Sequence, residues 1–246
     1  MTRPRARLVL AASWRSAARR PSAGPAASTH FCLEPPLSVC QSGRMTSPQK
    51  IARLAIALDE VKPPVRRRVE VQLAVRLDQL HRIIQIVMGW ENYHLYEFRV
   101  GRDVVYGISY RDRDFPGTSP LSAKKATLAD ILAQARNKSF RYVYDIGDDW
   151  RHTVKLEAVV DAEPEATYPR LLSAQGRCPP EDVGGTWGYA QYLEAMADPK
   201  HDRHAEMVDW RGPDFDPNTV DEANIRKALL SFAKRSQRKL KNTSGS

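Results

Sequence analysis

An α+β fold, with a mainly antiparallel sheet, helices packed on it and a helix-rich C-terminal third, is predicted by three observations. Short apolar runs bounded by turn residues dominate the chain from about 50 to 160. Within that stretch only one long helical stripe and one short capped helix intervene. After residue 185 the hydrophobic period becomes helical. A chain of 246 residues with 42% hydrophobic content can bury one good-sized core, or at most two small ones. Nothing approaches the eighteen consecutive apolar residues that would suggest a membrane-spanning helix.

The first strand is IARLAIAL (51–58) and the second VRRRVEV (65–71), separated by the rigid KPP at 62–64. In the second, Arg66, Arg67 and Arg68 alternate faces, so they do not form one basic patch. Leu77, Leu80, Ile84, Val87 and Met88 recur at helical spacing, His81 lies on the same stripe, and Gly89 is a natural stop. Strands follow at HLYEFRV (94–100) and VVYGISY (104–110). Thr127 and Asp130 form a capping box for a short helix.

A hairpin is predicted from strands 140–146 and 150–160, with the turn inside YDIGDDWRHT. A two-residue turn would put Tyr142 and Tyr144 on the face of Arg151 and Thr153. A three-residue loop, Gly147-Asp148-Asp149, pairs Ile146 with Trp150, Tyr144 with His152 and Tyr142 with Val154, and gathers the apolar residues on one face. That register is the one expected. It leaves Asp148 and Asp149 in the turn, turns His152 inward and sends Asp145 to the opposite face.

Tyr189, Tyr192, Leu193 and Met196 mark a helix with Thr186 as its expected N-cap. A second helix is expected over residues 201–210. Thr219 and Glu222 cap a third, whose apolar face holds Ile225, Ala228, Leu229 and Phe232.

The net charge of +9 is concentrated at the ends. Residues 1–44 hold seven Arg and one acidic residue, and 231–246 hold five basic residues and no acid. Between them, 26 basic residues face 28 acidic ones. The expected organisation is therefore a disordered tail or an extension from an upstream start over 1–44, a single α+β domain over 45–232, and a basic disordered tail over 233–246. The basic tail would give weak, non-specific, salt-sensitive nucleic-acid affinity. Cys32 and Cys40 lie in the N-terminal segment, leaving Cys178 alone in the body. This excludes an internal disulfide in the body and a multi-cysteine zinc site, and fits the reducing cytoplasm.

The candidate groove combines the hairpin with GRCPPEDVGGTWGY (176–189), a turn-rich loop leading into a helix. Its residues are His94, Asp148, Asp149, His152, Cys178, Glu181, Asp182 and Trp187. A lone cysteine behaves more often as a small buried hydrophobe than as a nucleophile. His201 and His204, with Glu206 or Asp202, lack an evident further ligand. No Gly-rich phosphate loop, G-x-S-x-G or H-E-x-x-H is present.

Four segments, VKPPVRRRVEV (61–71), LDQLHRIIQIVMGWENYHLYEF (77–98), YDIGDDWRHTV (144–154) and YPRLLSAQGRCPPEDVGGTWGYAQYLEAMADPKHDRH (168–204), together resemble the Ri-plasmid Orf-three-like family. The resemblance runs from about Ile51 to Leu230. It implies a single α+β domain in a plasmid or insertion-element context, and supplies no reaction. Relatives that carry a TnpR label suggest a serine resolvase, but neither an activated serine among arginines nor a DNA-binding helical module is evident here. Val183 stands where many relatives have a second cysteine, and Arg66 where many have Trp.

The function expected is a non-enzymatic accessory or binding protein of plasmids or insertion elements. It would be cytoplasmic, without a cofactor or metal, and its partner would be a protein or a nucleic acid. The alternative is a metal-dependent hydrolase or nuclease-like enzyme. It would use Asp148, Asp149 and Glu181 around Mg²⁺ or Mn²⁺, with His152 as general base and the 178–187 loop beside it.

Overall fold

The computed structural model describes residues 49–108 and 119–243. The expectation for residues 1–44, and the last residues of the strand expected over 104–110, fall outside them. Eight strands form one sheet in the order β5-β4-β3-β6-β7-β1-β2-β8. Every neighbouring pair is antiparallel except β4 and β5. β1 (Lys50–Leu58) lies between β2 (Arg66–Gln72) and β7 (Trp150–Asp161). β3 (Tyr96–Val100), β4 (Val104–Gly107) and the two-residue β5 (Leu121–Ser122) extend one side. β6 (Ser139–Tyr144) joins them to β7, and β8 (Arg170–Gln175) closes the other side. The sequence reading missed β5 and β8. RLLSAQ in β8 lies on a sheet edge and is only partly buried, so its alternation is weak.

The β7 sequence shows why one face is covered. Trp150, His152, Val154 and Leu156 are buried, while Arg151, Thr153, Lys155 and Glu157 between them are exposed. Phe140, Tyr142 and Tyr144 of β6, and Tyr96, Phe98 and Val100 of β3, continue the inward face. Helix α1 (Leu77–Met88) contributes Leu77, Leu80, Ile83, Ile84 and Val87 to the same core. Its first N–H groups are satisfied by the carbonyls of Ala126 and Ala123. Gly89, at φ 92°, closes it by donating to Gln85. The expected capping box of α2 (Leu128–Gln134) is present between Thr127 and Asp130.

The outward face carries charge. Glu70 is fully buried, and its carboxylate accepts from Arg53 at 2.7 Å and from Arg170, which also pairs with Glu163. Arg53 and Arg170 are its partners on the two neighbouring strands. Burial pushes the Glu70 carboxyl up, but the two guanidinium groups outweigh it and hold it below its ordinary range.

The hairpin register differs from the expected one by two residues. Tyr144 pairs with Trp150, Tyr142 with His152 and Phe140 with Val154, leaving a five-residue loop from Asp145 to Asp149. The apolar face is the expected one, because the shift is even. The longer loop is set by Asp145, at φ 54°, whose Oδ1 accepts from the N–H of Gly147 at 2.9 Å and of Asp148 at 3.3 Å. Its carbonyl accepts from Asp149 N–H at 2.7 Å. Ile146, assigned to the strand pairing by sequence, is instead an exposed loop residue.

Three helices complete the C-terminal third: α3 (Gly185–Ala197), α4 (His204–Arg211) and α5 (Glu222–Thr243). The N-cap of α3 is Gly184, at φ 90°, rather than Thr186. Asp221 rather than Thr219 caps α5, accepting from Asn224 N–H at 2.9 Å. α5 also runs past the expected domain boundary at 232, and Ala233 is buried.

Candidate functional site

The site forms where the segment after α1, the β6–β7 loop and the 178–184 loop come together. Trp90 anchors the first segment, stacking near Trp150 and Tyr144 and donating from Nε1 to the Pro179 carbonyl at 3.1 Å. Tyr144 is the hub. Its hydroxyl accepts from the N–H of Tyr93 at 3.1 Å and donates to Glu181 Oε1 at 3.0 Å. Glu181 also accepts from Glu91 N–H at 2.8 Å. Burial, reinforced by Glu181, pushes the Tyr144 phenol well above its ordinary range, so it remains a neutral donor.

These supports hold His94 against three carboxylates. Its Nε2 lies 2.9 Å from Asp182 Oδ1, 3.5 Å from Asp145 Oδ2 and 3.8 Å from Glu181 Oε2. The atom is buried, yet none of the three approaches has hydrogen-bond geometry. Asp145 and Glu181 are nearly buried, whereas Asp182 is exposed. Among the described residues, His94, Asp145 and Asp182 form the one group whose ligand-type atoms all lie within 4.8 Å of one another.

Of the sequence-predicted residues, the structure brings His94, Glu181 and Asp182 together. Asp148 joins the loops differently: its Oδ2 accepts from Gly184 N–H at 3.1 Å. Asp149 forms an exposed ion pair with Arg151. His152 is fully buried among Trp90, Tyr142 and Trp150. Its Nδ1 donates to the carbonyls of Trp150 at 3.1 Å and Tyr142 at 3.2 Å, and burial lowers its pKa to about 4. It is a neutral core residue closed off from solvent. Cys178 is buried, and burial pushes its thiol far above the ordinary range, so a thiolate does not form near neutral pH. Trp187, expected to scaffold the loop, is 73% exposed, and Trp90 fills that role.

The expected register makes Asp145 a strand residue on the opposite face, whereas the structure places it in the loop. Its usable signal was an Asp two residues before Gly147, which favours a side chain folded back onto the following N–H groups. The other histidine pair is occupied: His204 Nδ1 donates to the Ala195 carbonyl at 2.8 Å, and His201 Nδ1 accepts from Arg203 N–H at 3.1 Å.

The fold and site define an α+β domain with one imidazole–carboxylate cluster at a junction of three loops. The chain belongs to the plasmid pRiA4b ORF-3-like protein family, whose profile matches residues 50–224. It is 44% identical over 190 residues to the uncharacterized protein y4hQ of Sinorhizobium fredii, covering 77% of this chain and 95% of that one. It is also similar to the crystal structure of MM3350, a protein of unknown function from Methanosarcina mazei. That match has a TM-score of 0.62 and 32% identity, over 72% of this chain and 98% of the other. Among the described residues, no helix is long and apolar enough to cross a membrane.

Proposed function

We propose that this protein is a non-enzymatic accessory or binding protein of a plasmid or insertion-element system, and that it holds one divalent transition-metal cation at His94, Asp145 and Asp182. The observation that carries the cation is the buried Nε2 of His94, which faces carboxylate oxygens without a hydrogen bond to any of them. Two ligands bound at about 2.1 Å in a tetrahedral site lie about 3.4 Å apart. The observed separations of 2.9 and 3.5 Å bracket that value. One imidazole with carboxylates suits Zn²⁺ or Mn²⁺ better than a purely oxygen-seeking ion. Glu181, at 3.8 Å, is placed to complete the set after a small movement.

The binding role is supported by the state of the candidate nucleophiles and bases. Cys178 is a buried thiol and His152 a buried neutral imidazole, so neither acts at the cluster. The hydrolase alternative built on Asp148, Asp149 and His152 loses the convergence it needs. The family description supports the plasmid context, the lone body cysteine fits a cytoplasmic protein, and the basic segment 234–241 gives weak phosphate affinity.

The test is calorimetric titration of chelator-treated protein with Zn²⁺, Mn²⁺ and Mg²⁺. One Zn²⁺ or Mn²⁺ per chain is expected, with affinity lost in His94→Ala and Asp145→Asn. Stoichiometric binding that persists in both variants would place the ion elsewhere, and no binding would remove the cation from the proposal.

A further inference from the structure

A second feature lies on the other side of Glu181. A cavity of about 680 Å³ opens between the end of α1, the 177–181 segment and the start of α5. Three arginines line it: Arg67, Arg177 and Arg211. None of them has a carboxylate within ion-pair distance among the described residues. This differs from Arg53, Arg68, Arg170 and Arg226, each paired with an acid.

Arg67 is the unusual member. It occupies an inward position of β2, in line with Val69 and Val71, and is only 1% exposed. Its Nε donates to Val87 O, at the end of α1. Its Nη1 donates at 2.8 Å to both Arg66 O and Gln175 O. Nη2 has no protein acceptor among the described residues. Closing the end of α1 needs only the Nε bond. The two further carbonyls fix the guanidinium plane and leave one edge of a buried cation unused. Glu222 acts on it only at a distance, being ion-paired to Arg226, and a buried charge without a close counter-ion is costly to keep.

The other two arginines also make no ion pair among the described residues, and the acid nearest in effect to Arg177 is Asp216, which acts only at a distance. Arg177 lies over the Phe215 ring at 4.6 Å and donates to Asp214 O at 3.0 Å. Arg211 lies over the Trp210 ring at 4.3 Å and donates to Glu181 O. Three acids also line the cavity, but each already accepts elsewhere: Glu91 from Tyr93, Glu181 from Tyr144, and Asp221 from Asn224. Apolar surface is supplied by Trp90, Phe215 and Ile225.

We propose that this cavity binds a small molecule with an oxyanion, carboxylate or phosphate, joined to an apolar body. Arg67, Arg177 and Arg211 hold the charge, and the aromatic wall holds the body. A planar guanidinium with a free edge matches such an oxyanion. The site shares the Glu181 segment with the cation cluster but does not need a bound cation.

The test uses thermal shift of the full chain in chelator, with benzoate, phenyl phosphate and the neutral benzamide as probes. Arg67 is kept, because it ties three carbonyls. The exposed pair is changed instead, as Arg177→Gln with Arg211→Gln. A saturable rise with benzoate or phenyl phosphate, but not with benzamide, is expected. The double variant should weaken it about tenfold or more, as expected for losing a charge-assisted hydrogen bond. Which of the two anions binds better assigns carboxylate or phosphate. No saturable shift from either anion by about 10 mM, where even weak ligands register, overturns the proposal. So does an undiminished shift in the double variant. Zn²⁺ titration of Arg177→Gln alone, which keeps the Arg211 bond to the Glu181 carbonyl, reports the cation cluster separately.

Discussion

Two buried histidines make the stability of this domain sensitive to mild acid. His81 and His152 are 3% and 0% exposed, and burial lowers the pKa of each to about 4. His81 stacks on Tyr96, with ring centroids 3.6 Å apart, and its Nδ1 accepts from the Tyr142 hydroxyl at 2.7 Å. An unfolded histidine titrates near 6.5, so below that pH the unfolded chain takes up protons that the folded chain refuses. The stabilising difference is therefore complete above about 6.5 and is lost as the pH falls toward 4. Between pH 7 and pH 5 each histidine costs about 2 kcal/mol, and the two together about 4 kcal/mol, a large part of a typical domain's stability. Glu70 has a linkage of the same sign at lower pH. Its depressed carboxyl contributes above about 4.5 and is lost below that value, outside this window. Urea unfolding at pH 7 and pH 5 measures the fall. His152→Gln, whose amide can still donate to the Trp150 and Tyr142 carbonyls, should halve it. A parent that loses under about 1 kcal/mol over this range, or a variant that keeps the full loss, would refute the reasoning.

Trp150→Ala should melt well below Asp149→Asn. The first empties a fully buried site at a cost of about 3–5 kcal/mol, while the second breaks an exposed pair with Arg151 worth under about 1 kcal/mol. Similar melting temperatures would refute that contrast. Gly185→Ala should cost about 1–3 kcal/mol, because φ is positive there. Its new Cβ would lie 2.7 Å from the Asp148 carbonyl oxygen, so weaker Zn²⁺ binding should accompany the loss, measured by melting and calorimetry. Filter binding to duplex DNA at low salt should detect weak affinity that disappears when the five Lys and Arg of 234–241 become Gln. Binding that survives the change would locate the contact in the body.

Periodic positions were legible in the sequence. The stripe from Leu77 to Met88 became α1, and the alternation from Trp150 to Leu156 became the inward face of β7. Both signals depend on many residues repeating one pattern, so they tolerate local error. The resemblance to the plasmid family was likewise carried by several segments read together. Loop geometry was less legible. The β6–β7 loop hinges on one Asp side chain that bonds the backbone following it, and an even slip in register keeps every apolar residue on its face. Periodicity therefore identified the face but not the register, and Asp145 was misplaced. His94, Glu181 and Asp182 were recognised as candidates. Their meeting depends on Tyr144 and Trp90, whose apolar rings read as core while their polar ends organise the loops. Arg67 was read as one of three arginines alternating on a strand, and nothing local showed that the inward member faces a cavity.

The strand order has a consequence for how the polypeptide is made. β1 lies between β2 and β7, and Lys50 meets Asp161 across a sequence separation of 111. β2 waits for β8, with 100 residues separating Glu70 from Arg170. During synthesis the early hairpin therefore leaves the ribosome with both outer edges unpaired, until the last strands follow it. Its assembly is governed by distant partners rather than neighbours, the topology of the slower folders, and its early strand edges stay exposed while the C-terminal third is still being translated.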